Sequence, residues 1–162
     1  MYFYFIVLHV LFLVICCSEK DVPLSTTLEV NLISDSTISM NEELVISIEI
    51  KNADSLFAVS LELHYSSQLF ETNSSTVTIG NLFSDPTLHE LSTEGEVGVT
   101  IGELGDIQFT SSGIACHVTL LPKNEGTDLI YVSSLHMIEP DGTSIDGFSA
   151  LSIEPIEVNV VE

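Results

Sequence analysis

The sequence predicts an all-β fold, a single antiparallel β-sandwich of about nine strands. From residue 28 onward, apolar and polar residues alternate with period two, which is the pattern of strands that bury one face. Short polar sequences rich in Gly, Asn, Asp and Ser separate the alternating segments and predict turns. No segment has an apolar stripe of helical length, so we expect no crossover helices between parallel strands.

The amino-terminal half contains three alternating segments. Leu28, Val30 and Leu32 mark the first strand, and a second strand covers 44–50. After a turn at 52–55, a third strand spans 57–65. We expect its inward face to carry Phe57, Val59, Leu61, Leu63 and Tyr65, and its outward face to carry Ala58, Ser60, Glu62 and His64.

The carboxy-terminal half supplies the other six strands. Their predicted ranges are 77–79, 87–91, 96–102, 113–121, 128–137 and 156–161. Within 113–121 the alternation places Cys116 on the same face as Ile114, Val118 and Leu120. We therefore expect Cys116 to be a buried apolar side chain and not a nucleophile or a metal ligand.

The charge balance excludes whole classes of partner. The chain of 162 residues has 24 acidic side chains against three lysines and no arginine, which gives a net charge of −21. Such a surface repels nucleic acids and anionic lipid, because neutralising phosphates requires clustered Lys and Arg. Disorder is not expected either, because 45% of the residues are hydrophobic and they alternate regularly.

The first 17 residues are a nearly unbroken apolar run that turns polar at Ser18. Its length fits a signal peptide better than a membrane-spanning helix, although an uncleaved anchor is the alternative. Residues 14–17, Val-Ile-Cys-Cys, resemble the lipobox of bacterial lipoproteins. We predict a signal peptide at 1–16, lipidation at Cys17 with Cys16 as the alternative acceptor, a tether at 17–26 and one domain at 27–162. The protein is then exported and anchored by lipid, at the cell surface or facing the periplasm.

The sequence shows no pattern of catalytic or metal-binding residues. The five histidines are scattered, without the spacing of a metal site or of an acid–base pair, so we expect no enzymatic activity, no cofactor and no metal. The segment 141–147 contains Asp141 and Asp146, which could offer oxygen ligands to calcium. It lacks the alternating acidic pattern of an EF-hand loop, and a turn with solvated carboxylates is the preferred interpretation.

The order of these features resembles the cohesin domain, within the group of carbohydrate-binding-module-like jelly rolls. Five segments carry the resemblance, and it spans about residues 27–160. They are the turn and strand entry at 38–44, the strand 57–65 that ends in a tyrosine and leads into a loop closing on Leu69, the glycine-led strand that begins at Gly113, and the closing segments 124–131 and 139–142. The resemblance implies a cohesin-like jelly roll.

The resemblance also implies a function. Cohesins are non-catalytic receptors that bind dockerin modules and so organise polysaccharide-degrading enzymes. In that family the sheet face corresponding to Ser60, Glu62, His64, Glu96 and Thr100 meets the dockerin, and alternation directs these side chains outward here. We therefore predict a protein partner, dockerin-like, on this face. The alternative is a carbohydrate-binding module that contacts polysaccharide directly, although the chain lacks Trp and Tyr65 is expected to point inward.

Overall fold

The computed structural model describes residues 28–162, apart from 54, 74–75, 105–111 and 146–148. The predicted signal peptide, the tether and Cys17 therefore lie outside the described residues, as does Asp146. Among the residues that are described, no helix is long and apolar enough to cross a membrane. The described chain is built almost entirely of strands, as the alternation predicts.

Eleven strands and one short 3-10 helix make up the described part of the chain. The strands are β1 (Glu29–Ile33), β2 (Thr37–Ser39), β3 (Leu44–Lys51), β4 (Ala58–His64), β5 (Phe70–Glu71), β6 (Val77–Ile79), β7 (Pro86–Thr93), β8 (Glu96–Glu103), β9 (Gly113–Pro122), β10 (Gly126–Ile138) and β11 (Ile156–Val161). The 3-10 helix covers Ala150–Ser152. All nine predicted strands are present.

The strands form the two sheets of a β-sandwich. The first has the order β1-β3-β9-β5, with β6 also paired to β9, and the second has the order β2-β11-β10-β4-β8-β7. The structure adds two short strands to the nine predicted, β2 and β5, and β2 pairs with β11 in parallel. Strands of three and two residues are too short for alternation to reveal them.

The core lies between the sheets and is built from their inward rows. On β3, Leu44, Ile46, Ile48 and Ile50 are each at most 1% exposed. On β4, Leu61 is 2% exposed and Leu63 is fully buried, whereas Glu62 between them is exposed. The predicted inward position of Tyr65 is confirmed as well, since it belongs to the buried core cluster. The register of β4 therefore directs Ser60, Glu62 and His64 away from the core.

A β-bulge where β3 pairs with β9 corrects one prediction. Ile48 lies opposite Cys116, but the next residue, Glu49, lies opposite Ile114, which leaves Ala115 as the extra residue. Cys116 is buried as expected. Ile114 is displaced from the inward row to the side of Glu49, because a single inserted residue reverses the alternation beyond it.

Candidate functional site

The pairing of β4 with β8 brings the five predicted site residues together. Ser60 lies opposite Thr100, and His64 lies opposite Glu96. Glu62 lies between them, opposite Gly98. We call the solvent-facing side of β10, β4, β8 and β7 the outer face. The residues of β4 and β8 on this face therefore form one continuous patch, as their outward alternation predicts.

Ser60 and Thr100 form the uncharged end of this patch. Their hydroxyl oxygens lie 2.9 Å apart and share one hydrogen bond. Gly98 follows on β8, with no side chain of its own. Because the side chains here are small, this part of the outer face is flat and suits a protein surface better than a small ligand.

The charged end of the patch contains an imidazole and two carboxylates. His64 Nε2 lies 3.4 Å from Glu96 Oε2, and the side chains of these two residues are 30% and 36% exposed. The His64 ring stacks on Tyr131 of β10, with ring centroids 5.3 Å apart and planes inclined by 10°. The Ser133 hydroxyl donates to Glu62 Oε2 at 3.4 Å. The His64 ring is thus held from two sides, while Glu62 has one long hydrogen bond.

The neighbouring strands add exposed apolar side chains to the outer face. Tyr131 and Leu129 on β10 are 43% and 54% exposed, and Leu91 on β7 is 64% exposed, opposite Gly98. These residues were not predicted as part of the site, because alternation shows which way a side chain points but not which strands are neighbours. The exposed apolar side chains thus flank the polar and charged residues of β4 and β8, and exposed apolar area of this kind is typical of protein-binding surfaces.

The loop after Tyr65 holds one end of the six-stranded sheet. The Tyr65 hydroxyl donates to the Thr93 carbonyl at 3.3 Å. The Ser66 backbone N–H donates to Asp128 Oδ2 at 2.7 Å, which ties the loop to β10. Leu69 packs against the core. Tyr65 and Leu69 thus pack at this end of the sandwich, and these contacts fix the end of β4 that carries His64.

The other residues considered for chemistry lie apart from this patch. Burial raises the pKa of the Cys116 thiol to about 12, so at neutral pH it is an unreactive thiol. Asp141 accepts hydrogen bonds from the Thr143 hydroxyl at 2.6 Å and from the Thr143 backbone N–H at 2.9 Å. These two bonds lower the pKa of Asp141 and complete a turn.

Within the described ranges, one group of three or more His, Cys, Asp or Glu side chains could hold a metal ion. It consists of Glu62, His64 and Glu96, whose ligand atoms all lie within 4.8 Å of one another. This group was not predicted from the sequence, because Glu62 and His64 lie on β4 whereas Glu96 lies on β8, 32 residues after His64. The signal that could have revealed it is the outward alternation of both strands, once they are paired.

The chain resembles cohesins of known structure. A type II cohesin from a cohesin–X-dockerin complex of Acetivibrio cellulolyticus superposes with a TM-score of 0.71 at 13% identity, over 83% of this chain and 100% of that one. A cohesin module from a family 33 glycoside hydrolase of Clostridium perfringens gives 0.66 at 15% identity, over 83% and 98%.

A third solved structure extends the likeness beyond bacteria. A non-cellulosomal cohesin from the archaeon Archaeoglobus fulgidus gives a TM-score of 0.64 at 16% identity, over 83% of this chain and 92% of that one. No protein-family model matches the sequence, and no curated protein matches it either. The likeness is therefore one of structure, and it shows that the chain has the cohesin fold, a β-sandwich jelly roll.

Proposed function

We propose that this chain is a non-catalytic receptor that binds a protein module, a dockerin or a dockerin-like domain, through the outer face. The observation that carries the proposal is the assembly of Ser60, Glu62, His64, Glu96 and Thr100 into one exposed patch on a cohesin fold. Two of the similar solved structures are cohesins in complex with dockerins, which supports a partner of this class.

The composition of the outer face supports a protein partner. Leu91, Leu129 and Tyr131 offer apolar area, and Glu62 and Glu96 offer charges that complement Lys or Arg. The apolar side chains lie on β10 and β7, on either side of the carboxylates of β4 and β8, so buried apolar area would supply affinity while the charges between would orient the partner. Sugar binding is less well supported, because Tyr131 is the one aromatic side chain among the large exposed apolar residues of the described chain, which leaves little stacking platform for a pyranose.

We extend the proposal to the location of the protein. The apolar run at 1–16 and the cysteine at 17 support export and lipid anchoring, with the domain displayed at the cell surface or facing the periplasm. In that setting the receptor would recruit an enzyme that degrades polysaccharide. The similarity to a cohesin module of a glycoside hydrolase supports this context.

The proposal is tested by titration calorimetry with the full-length protein in detergent micelles. The ligands are a panel of purified dockerin modules, including any encoded by the same organism, and soluble oligosaccharides of cellulose, xylan and chitin. We expect at least one dockerin to bind with a dissociation constant of about 1 μM or lower, equivalent to about −8 kcal/mol. The oligosaccharides should bind weakly or not at all.

The opposite pattern would contradict the proposal. Micromolar binding of an oligosaccharide, with no binding of any dockerin, would favour a carbohydrate-binding module. A Tyr131→Ala variant then identifies the surface involved, because sugar binding by the outer face requires the exposed ring of Tyr131.

A further inference from the structure

We propose that Glu62, His64 and Glu96 form a binding site for a divalent transition-metal ion of the zinc class on the outer face. The donor set is one imidazole nitrogen and two carboxylate oxygens. Imidazole distinguishes this group from a cluster of carboxylates, because Zn²⁺ and its neighbours in the transition series prefer a nitrogen ligand, whereas Ca²⁺ and Mg²⁺ take oxygen. Metal binding by these three residues is a property separate from the proposed protein recognition and does not depend on it.

The spacing of the donor atoms fits such an ion. His64 Nε2 and Glu96 Oε2 lie 3.4 Å apart. Two ligands that are each about 2.0–2.1 Å from a tetrahedral Zn²⁺ are separated by about 3.4 Å. A charge-assisted hydrogen bond between the same groups would be shorter, at about 2.7–2.9 Å. The pair is therefore spaced more like two ligands of one ion than like a tight ion pair.

The supporting contacts fix one ligand and leave another able to adjust. The His64 ring is stacked almost parallel to Tyr131, which restricts its rotation, and its backbone lies in β4 between β10 and β8. Within the described residues, Glu62 accepts one long hydrogen bond, from the Ser133 hydroxyl at 3.4 Å, so a small rotation can bring its carboxylate to a metal. Rigid strands with one adjustable carboxylate satisfy the geometric demand of a three-ligand site.

The charge around the group favours a cation. Of the two lysines in the described part of the chain, Lys51 pairs with Glu49 at 2.9 Å in the other sheet. Lys123 donates to the Ser67 carbonyl at 3.0 Å. Neither neutralises Glu62 or Glu96, and the chain as a whole carries −21. A divalent ion would offset two neighbouring carboxylates, while the group's exposure leaves room for water as a fourth ligand.

The test is equilibrium dialysis of Zn²⁺ against the full-length protein, purified in detergent without a polyhistidine tag. We expect one tightly bound Zn²⁺ per chain in the presence of excess Ca²⁺. His64→Gln and Glu96→Gln should each weaken binding by at least about 10-fold, because even loss of a group that only supports a ligand costs about 10- to 100-fold. Thermal unfolding without metal verifies that each variant is folded.

Matched controls come from the same sheet. His136 and Glu157 are exposed on the neighbouring strands β10 and β11. His136→Gln and Glu157→Gln repeat the chemical changes outside the group and should bind Zn²⁺ like the wild type. With Co²⁺ in place of Zn²⁺, we expect visible absorption bands that His64→Gln abolishes. Zn²⁺ binding that is unchanged in His64→Gln, or weakened as much by Glu157→Gln, would overturn the proposal.

Discussion

At the scale of single residues, Glu103 is the one charged side chain that is buried in the described part of the chain. Its carboxylate accepts hydrogen bonds from the Ser84 hydroxyl at 2.6 Å, the Ser84 backbone N–H at 2.9 Å and the Asp85 backbone N–H at 2.6 Å. These bonds lower the pKa of Glu103 even though desolvation acts to raise it, and the hydrogen bond from the Ser84 hydroxyl contributes most to the lowering. The carboxylate thereby anchors the turn before β7 to the end of β8.

We expect Glu103→Gln to destabilise the protein at pH 7 and to do so less as the pH falls. A carboxyl whose folded-state pKa is lowered stabilises the fold above its unfolded pKa of about 4.3, and this stabilisation is lost as the pH falls through the folded-state value. Urea unfolding of variant and wild type at pH 7 and at pH 3 measures the difference. Glu94→Gln, in the exposed turn between β7 and β8, is the control. A loss that is equal at both pH values would contradict this role.

The alternation of β4 gives a second prediction. Leu61→Ala should lower the free energy of unfolding by about 2–5 kcal/mol, because it removes a buried side chain and leaves a cavity between the sheets. Glu62→Ala, one residue away on the exposed side, should change it by less than about 0.5 kcal/mol. Chemical denaturation measures both values. Equal losses would show that the register of β4 is wrong.

The inward and outward positions on β4 were predictable. A shift of the strand by one residue would place Ser60, Glu62 and His64 in the core instead of its leucines. The proximity of Glu62 and His64 to Glu96 was not predictable in the same way. It depends on which strand lies beside β4 and on the register of their pairing, and alternation reveals neither. The predicted inward position of Ile114 was wrong for a different reason. A bulge reverses the alternation locally, and the amino-acid sequence carries no pattern that reveals it.

At the scale of elements, the junction of β6 and β9 requires glycine. Gly80 follows β6, and its backbone N–H donates to the Ala115 carbonyl at 3.0 Å, beside the bulge. A Cβ at residue 80 would lie 2.1 Å from the Ile114 carbonyl oxygen. That oxygen accepts from the Leu82 backbone N–H at 2.9 Å, so it cannot move freely.

We therefore expect Gly80→Ala to destabilise the fold by about 1–3 kcal/mol through overpacking against the backbone. Gly98→Ala is the matched control, because its Cβ would meet Leu91 atoms at ordinary contact distances of 3.5 and 3.8 Å. Thermal or urea unfolding compares the two variants. A Gly80→Ala protein as stable as the Gly98→Ala protein would show that β6 does not approach β9 this closely.

The longer elements could be predicted from the sequence, and the shortest could not. β3 and β4 alternate over eight and seven residues and bury every second side chain. β2 has three residues and pairs in parallel with β11, from the opposite end of the described chain. Such a pairing depends on how the whole sandwich closes, so no local pattern indicates it.

At the scale of the whole molecule, we expect the amino-terminal segment to determine where the domain is displayed. The paired cysteines at the end of the apolar run lead us to predict that the mature protein begins at Cys17 and is lipidated there. Mass spectrometry of the protein extracted from the membranes of the organism that encodes it should find an acylated Cys17 as the first residue. An intact Met1, or an unmodified Cys17 thiol in the membrane form, would show that no lipoprotein processing occurs.

The net charge of −21 affects how any partner approaches. Charges on one chain attract a partner with exposed Lys or Arg from beyond contact distance and increase the association rate. Salt screens this attraction, with a Debye length of about 10 Å at 0.1 M and about 3 Å at 1 M. In the proposed complex, by contrast, we expect the choice of surface to depend on local charges and on the exposed apolar residues of the outer face.

The central claim, that the outer face of the six-stranded sheet is the receptor surface, is tested most directly by reversing charge on each sheet in turn. The measurement is the affinity of the full-length protein for a dockerin that binds it in the calorimetric panel, with a Glu62→Lys, Glu96→Lys double variant and a Glu29→Lys, Glu71→Lys double variant. The second pair is exposed on the five-stranded sheet and changes the net charge equally. We predict at least about a 10-fold loss of affinity, about 1.4 kcal/mol, for the first variant and little change for the second. Equal losses in both, or a loss confined to the second, would contradict the claim.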